Sequence, residues 1–236
     1  MRIAFLIFTV ALTVVFCVAS YRIHNVSPVA DEHKEQVQKM KADTTKLPKK
    51  VADYDTKNWT DILDQDPTVA IDIRYATPNN FVKEKMYDCA RCFLRPNVAK
   101  AIEKIHVALR KKGYGGLKMF DCYRPKPYQQ RLWDKMPDAR YVTPPWKGSQ
   151  HNRGAAVDLT IVDKAGKELD MGTEYDFFGE RAYHDFKGLP ADIQANRTLL
   201  KTVMEQNRFR SIRTEWWHYS FVGKEFPIAD WVWKCD

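Results

Sequence analysis

Ser149-Gln150-His151-Asn152-Arg153-Gly154-Ala155-Ala156-Val157-Asp158, running on through Leu159-Thr160-Ile161-Val162, is the stretch that decides how this chain folds. Its polar, glycine-closed first half has the composition of a turn. From Ala155 to Val162 the residues become small, β-branched and aliphatic, which predicts a strand. Alternation along that strand sends Ala156, Asp158 and Thr160 to one side. With His151 in the turn and Asp158 on the strand, an imidazole and a carboxylate can face one ion, because the intervening Gly and Ala residues let the backbone pack closely.

Downstream, Thr214-Glu215-Trp216-Trp217-His218-Tyr219 offers a second imidazole with a carboxylate three residues before it. An ideal strand sends Glu215 and His218 to opposite faces, so the chain must turn or bulge between them to use both. Three nitrogen or oxygen ligands with a fourth position left open is the pattern of a catalytic zinc site. His151, Asp158 and His218 supply the three, and Glu215 is the free carboxylate placed to take a proton from an attacking water. Spacing alone leaves open the alternative that each histidine is structural.

The rest of the body mixes both kinds of element. Val69 to Tyr75 and Leu117 to Tyr123 read as strands, and Thr214 to Val222 as a final β region. Pro96 opens a helix with Val98, Ile102, Ile105 and Leu109 on one face, closed by Gly113. Shorter helical patterns cover Tyr128 to Lys135 and Ala191 to Gln206. Helices bracketing strands without regular βαβ alternation predict an α+β fold: one domain with a central, mostly antiparallel sheet flanked by helices and the metal site at one side of the sheet. Trp216, Trp217, Trp231 and Trp233 read as core and rim packing. His106 and His184, with no partnered motif around them, read as helix-surface and loop residues.

The amino terminus reads as targeting. Met1-Arg2 precedes an apolar run from Ile3 to Phe16 and the small residues Val18-Ala19-Ser20, so residues 1–20 are expected to be a signal peptide, or an anchor if it is retained. Residues 21–57, rich in Lys, Asp, Glu and Gln, read as a flexible tether that would hold the protein loosely near a membrane or wall, and 58–236 as the catalytic domain. The chain is therefore expected to be exported, to the periplasm or cell envelope. Of the five cysteines, Cys89, Cys92, Cys122 and Cys235 follow the leader, and an even number in an exported chain predicts disulfides. Three pairings are possible, and the one expected joins Cys122 to Cys235 and Cys89 to Cys92. Over the 236 residues, 44% are hydrophobic and 29% charged, which excludes a disordered chain and a multi-span membrane protein. The net charge of +8 is scattered rather than gathered in a stripe, against nucleic-acid binding.

The run Ser-x-His-x-x-Gly-x-Ala-x-Asp (Ser149 to Asp158), followed by Glu-x-Trp-His (Glu215 to His218), resembles the D-alanyl-D-alanine dipeptidases linked to vancomycin resistance and cell-wall turnover. Asp72-Ile73-Arg74-Tyr75-Ala76-Thr77 with Asn80-Phe81, Asp121-Cys122-Tyr123-Arg124-Pro125, and Asp170-Met171-Gly172-Thr173 with Asp176-Phe177-Phe178 extend the likeness from about Trp59 to the C-terminus. The resemblance implies one zinc ion held by His151, Asp158 and His218, with Glu215 as catalytic acid and base. It implies that Arg124 stabilises the tetrahedral intermediate, that Asp176 holds the ammonium of a small D,D-dipeptide, and that Ser149 touches the bound dipeptide. Two alternatives stand beside the dipeptidase: a peptidoglycan D,D-carboxypeptidase acting on longer stem peptides, and a wall-binding module with a structural zinc. The second alternative would need neither Glu215 nor Arg124.

Overall fold

The structure is a computed structural model that describes residues 52–235. The expected signal peptide and most of the expected tether lie outside the described residues. Asp53 and Tyr54, within the stretch read as tether, touch the domain: Arg91 donates to the Asp53 carboxylate, and the Tyr54 ring meets Phe93 edge-on. Among the described residues no helix is long and apolar enough to cross a membrane.

The chain runs through β1 (Thr60–Asp61), α1 (Ile62–Gln65), β2 (Ala70–Ile71), β3 (Phe93–Leu94), α2 (Pro96–Lys111), β4 (Gly116–Asp121), α3 (Lys126–Lys135), β5 (Ala156–Val162), α4 (Ala191–Glu205), β6 (Phe209–Ile212) and β7 (Glu215–Phe221). Five strands form one sheet in the order β2-β4-β5-β7-β6, in which only the β2–β4 pair is parallel, and β1 with β3 forms a small antiparallel ribbon. The expected α+β, mostly antiparallel architecture is what the chain adopts. Every residue of β5 is buried, because β4 and β7 flank it and both sheet faces are covered. A central strand with two covered faces shows no alternation of burial. On α2 the stripe Val98, Ala99, Ile102, Ile105 and Leu109 is fully buried, while Pro96 occupies the first turn, where no N–H is needed.

The structure corrects the sequence reading in four places. The strand expected over Val69 to Tyr75 is confined to Ala70–Ile71, followed by a 3-10 turn at Arg74–Ala76. There the Asn80 amide bonds the carbonyls of Arg74, Thr77 and Glu84, and the Tyr75 carbonyl accepts the N–H of both Met86 and Tyr87, so local bonds curl the chain out of the sheet. The single β region expected at the end is a hairpin of β6 and β7. The first of these strands is missed by periodicity because it is a four-residue edge strand in which only Phe209 is buried, too short for an alternation to show.

The third correction concerns the cysteines: the bridges are Cys89–Cys235 and Cys92–Cys122, not Cys89–Cys92 and Cys122–Cys235. Cys92 is fully buried immediately before β3, and the Tyr123 N–H bonds the Phe93 carbonyl, which lays Cys92 beside Cys122. Cys89 sits farther out on the preceding loop, where the C-terminal tail passes with Trp231 and Trp233 packed on Tyr123 and Phe93. Neighbours in sequence that point to different sides cannot bridge.

Fourth, His106 is not on the helix surface but fully buried. Its Nδ1 accepts the Leu117 N–H at 3.0 Å, so Nε2–H donates to Thr68 Oγ1 at 3.0 Å, and that hydroxyl donates to Asp66. Gly116 makes room for the ring: a Cβ there would lie 2.3 Å from its Cε1. Burial holds the His106 pKa below the ordinary 6.5, with Arg110 acting the same way and Asp66 opposing. Below about pH 6.5 the unfolded chain therefore takes up a proton that the folded one refuses, and stability falls with pH. Between pH 7 and pH 5 the melting temperature of a His106→Asn chain should drop less than that of the parent; parallel drops would remove His106 from the acid-side loss.

Candidate metal centre and its cleft

The centre begins at the turn before β5. His151–Arg153 form one 3-10 turn, ended by Gly154 in the left-handed conformation at φ +67°. A side chain at Gly154 is excluded twice, by that φ and by the Trp59 ring, 2.5 Å from where a Cβ would sit. Asn152 locks the turn, accepting the Ser149 N–H at 2.7 Å and donating to the Arg124 carbonyl at 2.8 Å. His151 is thereby held under the end of β4.

Strand register does the rest. Asp158 on β5 lies opposite His218 on β7 and, across the other edge, opposite Asp121 on β4. Directly opposed residues on an antiparallel pair bring their side chains within about 5 Å of each other. A bulge in the β6–β7 pair takes the register from Ser211 opposite Tyr219 to Ile212 opposite Glu215, and Glu215, Trp217 and His218 all line one cleft. This is the departure from ideal strand geometry that the spacing of Glu215 and His218 demanded.

One ligand atom from each of His151, Asp158 and His218 lies within 4.8 Å of the others. His151 Nε2 is 3.4 Å from Asp158 Oδ1 and 3.2 Å from His218 Nδ1, and His218 Nδ1 is 3.0 Å from Asp158 Oδ1. The outward atoms are occupied. His151 Nδ1–H donates to the Cys122 carbonyl at 2.7 Å, His218 Nε2 meets Ser220 Oγ at 3.0 Å, and Asp158 Oδ2 accepts the Tyr175 hydroxyl at 3.0 Å. Each outer bond fixes a tautomer or rotamer and leaves a lone pair aimed at the shared point. Two imidazole nitrogens and one carboxylate oxygen, open on the cleft side, suit a zinc ion that keeps a fourth position free. The imidazoles outweigh the cost of burial and hold the Asp158 carboxyl well below the usual range.

The cleft encloses about 750 Å³ and is also lined by Tyr75, Arg124, Ser149 and Asp176. Arg124 is 9% exposed. Its Nη2 donates to Asp121 at 2.6 Å, Nε to the Tyr87 hydroxyl at 3.1 Å, and Nη1 to Gln129 at 3.1 Å. The Asp121 carboxylate thus holds the guanidinium in the cleft. Burial pushes the Glu215 carboxyl up, with Asp158 adding to the shift and His218 opposing it. Asp176 is pushed much further, again by burial first and the Asp158 charge second. It accepts the Tyr75 hydroxyl at 2.9 Å and stands at φ +59° in a turn, not at the end of a helix. Ser149 lines the cleft, but its hydroxyl is already bonded to Asn152, which it helps to cap.

The structure thus brings all seven of the sequence-derived candidates to one cleft. The cleft is also lined by Tyr75, which sequence reasoning left without a role although it stands in the Asp72–Thr77 block, and by Trp217, read from the sequence only as packing; Tyr175, directly before Asp176, bonds Asp158 from behind.

Residues 56–232 match the model of the D-ala-D-ala dipeptidase family. A D-alanyl-D-alanine dipeptidase of Escherichia coli is 35% identical over 182 residues, covering 77% of this chain and 94% of the relative. One from Enterococcus faecalis is 30% identical over 177 residues, covering 66% and 87% respectively. Among solved structures, the vancomycin-resistance D,D-pentapeptidase VanY in complex with Zn(II) aligns at 16% identity and a TM-score of 0.37, over 56% of this chain and 74% of that one.

Proposed function

The chain belongs to the D-Ala-D-Ala dipeptidase family of zinc metallopeptidases, and from that premise we propose that it hydrolyses free D-alanyl-D-alanine to two D-alanines. The observation that carries this reading is Asp176, a carboxylate in the cleft of the metal trio with a hydroxyl partner in Tyr75 and, among the described residues, no ion-pair partner. A dipeptide brings its ammonium within one residue of the scissile carbonyl, and Asp176 receives it.

The division of labour follows from the chain's own groups. His151, Asp158 and His218 would hold one zinc ion. When bound, zinc would supply a Lewis acid for the scissile carbonyl and lower the pKa of water to about 7. Glu215 takes the proton of the attacking water on a carboxylate oxygen and returns it to the leaving amine nitrogen, so no net proton is left on the enzyme. Its burial raises its basicity towards that task. Arg124, fixed by Asp121 and Gln129, presents a charged fork to the negative charge that develops on the carbonyl oxygen. Ser149 contributes a polar edge to the bound dipeptide.

The chain is exported to the periplasm or envelope, where an oxidising compartment lets its two disulfides persist. The Lys-rich stretch before Trp59 keeps it near an anionic membrane or wall. Purified protein assayed on D-alanyl-D-alanine, L-alanyl-L-alanine and a stem pentapeptide tests the function. Release of D-alanine from the first substrate alone is the expected result, and faster release from the pentapeptide would assign a carboxypeptidase instead.

A further inference from the structure

The segment from Met171 to Tyr183 has no regular structure beyond a 3-10 turn at Glu180–Ala182, yet it reaches the metal trio through Tyr175 and the cleft through Asp176, and is pinned beside them through Thr173. Thr173 Oγ1 accepts the Trp216 indole N–H at 2.8 Å, Tyr175 donates to the ligand Asp158, and Asp176 accepts from Tyr75. Asp176 holds φ +59°, a left-handed turn conformation that aspartate tolerates better than most residues and that sets the direction in which its carboxyl leaves the backbone.

Arg197 on α4 ties down both ends of the segment. It is 5% exposed, and its guanidinium donates to the carbonyls of Met171 at 2.7 Å, Arg181 at 2.9 Å and Tyr183 at 3.0 Å. These carbonyls lie at the two ends of the segment, so one planar fork closes it into a loop. Neighbouring bonds act in the same sense: Asn196 donates to the Asp170 carbonyl, and the Arg181 side chain to the Gly172 carbonyl, each at 2.9 Å. Gly172, at φ +81°, lets the backbone press against α4, since a Cβ there would come within 2.7 Å of Leu189 and 3.0 Å of Ile193. A buried cation with carbonyl partners only is costly unless its donors are satisfied together, which ties the placement of the guanidinium to the closed loop.

We propose that Arg197 is a positioning residue for the substrate's ammonium: by clamping both ends of the Met171–Tyr183 segment it fixes Asp176 at its distance from the metal trio. The inference rests on the reading of Asp176 given above. Lysine keeps the charge but not the fork, and so cannot hold three carbonyls in one plane.

The test uses the zinc-loaded full chain as parent, Arg197→Lys and Arg197→Ala, each assayed at a temperature where thermal melts show it native. Three quantities are measured: amide hydrogen exchange over residues 172–182, zinc content, and kcat and KM on D-alanyl-D-alanine. Exchange should quicken in that segment alone, with zinc content unchanged. KM should rise about tenfold in Arg197→Lys and up to about a hundredfold in Arg197→Ala, the scale set by an ångström of misplacement, with a smaller change in kcat. Free guanidinium should restore part of the KM of Arg197→Ala. Unchanged exchange in both variants overturns the proposal, as does quickened exchange with KM within twofold of the parent. If the parent itself cleaves an N-acetylated dipeptide as fast as the free one, the ammonium reading of Asp176 fails instead, and the proposal falls with it even where the exchange result stands.

Discussion

Glu215→Ala is expected to keep its full zinc content and to lose between about a hundredfold and ten-thousandfold of its turnover, the range typical for removing a general acid and base. Glu215 lines the cleft, but it is not among the three residues whose ligand atoms gather within 4.8 Å. His218→Ala should lose both zinc and activity, since it removes a ligand nitrogen and leaves Asp158 buried with one imidazole partner fewer. Metal analysis of the dialysed proteins beside steady-state kinetics separates the two roles. Should Glu215→Ala lose zinc as completely as His218→Ala, Glu215 would have to be counted as a ligand.

The second large effect concerns selectivity. Asp176→Asn preserves shape and removes the charge, so binding of the dipeptide ammonium loses a charge-assisted bond of about 1.5–3 kcal/mol, roughly ten- to a hundredfold in kcat/KM. Zinc should stay bound, because Asp176 makes no contact with the three ligands, although Tyr175, next to it in sequence, does. N-acetyl-D-alanyl-D-alanine should be a poor substrate for the parent: burial favours the uncharged form of Asp176 unless a cation pairs with it, and an amide brings no charge, so the charge-assisted bond that holds the free dipeptide is not formed. Asp176→Asn should narrow the gap between the two substrates. Equal turnover of the free and acetylated dipeptides by the parent would move the enzyme to the carboxypeptidase class.

Reduction of the Cys92–Cys122 bridge touches the same centre from behind, because the carbonyl that orients His151 belongs to Cys122. The aromatic C-terminal tail is likewise tied to that region through Cys89, and its Ala229 N–H bonds the Asn152 carbonyl of the metal turn. The back of the site is therefore covalently braced, while one wall of its cleft comes from the segment whose ends Arg197 holds.

What the sequence determined by itself is local. Helix α2, the strand β5 and the order of the site residues are legible because apolar spacing, Pro96 in the first helical turn and the turn at Gly154 act over a few residues, although the burial of both faces of β5 is not. The short runs also named the chemical types that a metal centre requires. The tertiary structure alone decided what those types do for one another. That Asp121, Asp158 and His218 stand in a row follows from β4, β5 and β7 being adjacent and in that register, which no residue spacing within one strand encodes. The cysteine pairing failed for the same reason: adjacency in sequence suggested Cys89 with Cys92, but the direction of each side chain and the strand beside it selected Cys235 and Cys122. His106 and Arg197 carry polar side chains that composition assigns to the surface. Both are buried because partners from distant segments, the Leu117 N–H in one case and three loop carbonyls in the other, satisfy them in the interior, and burial of a polar group is set by such partners rather than by its own hydropathy.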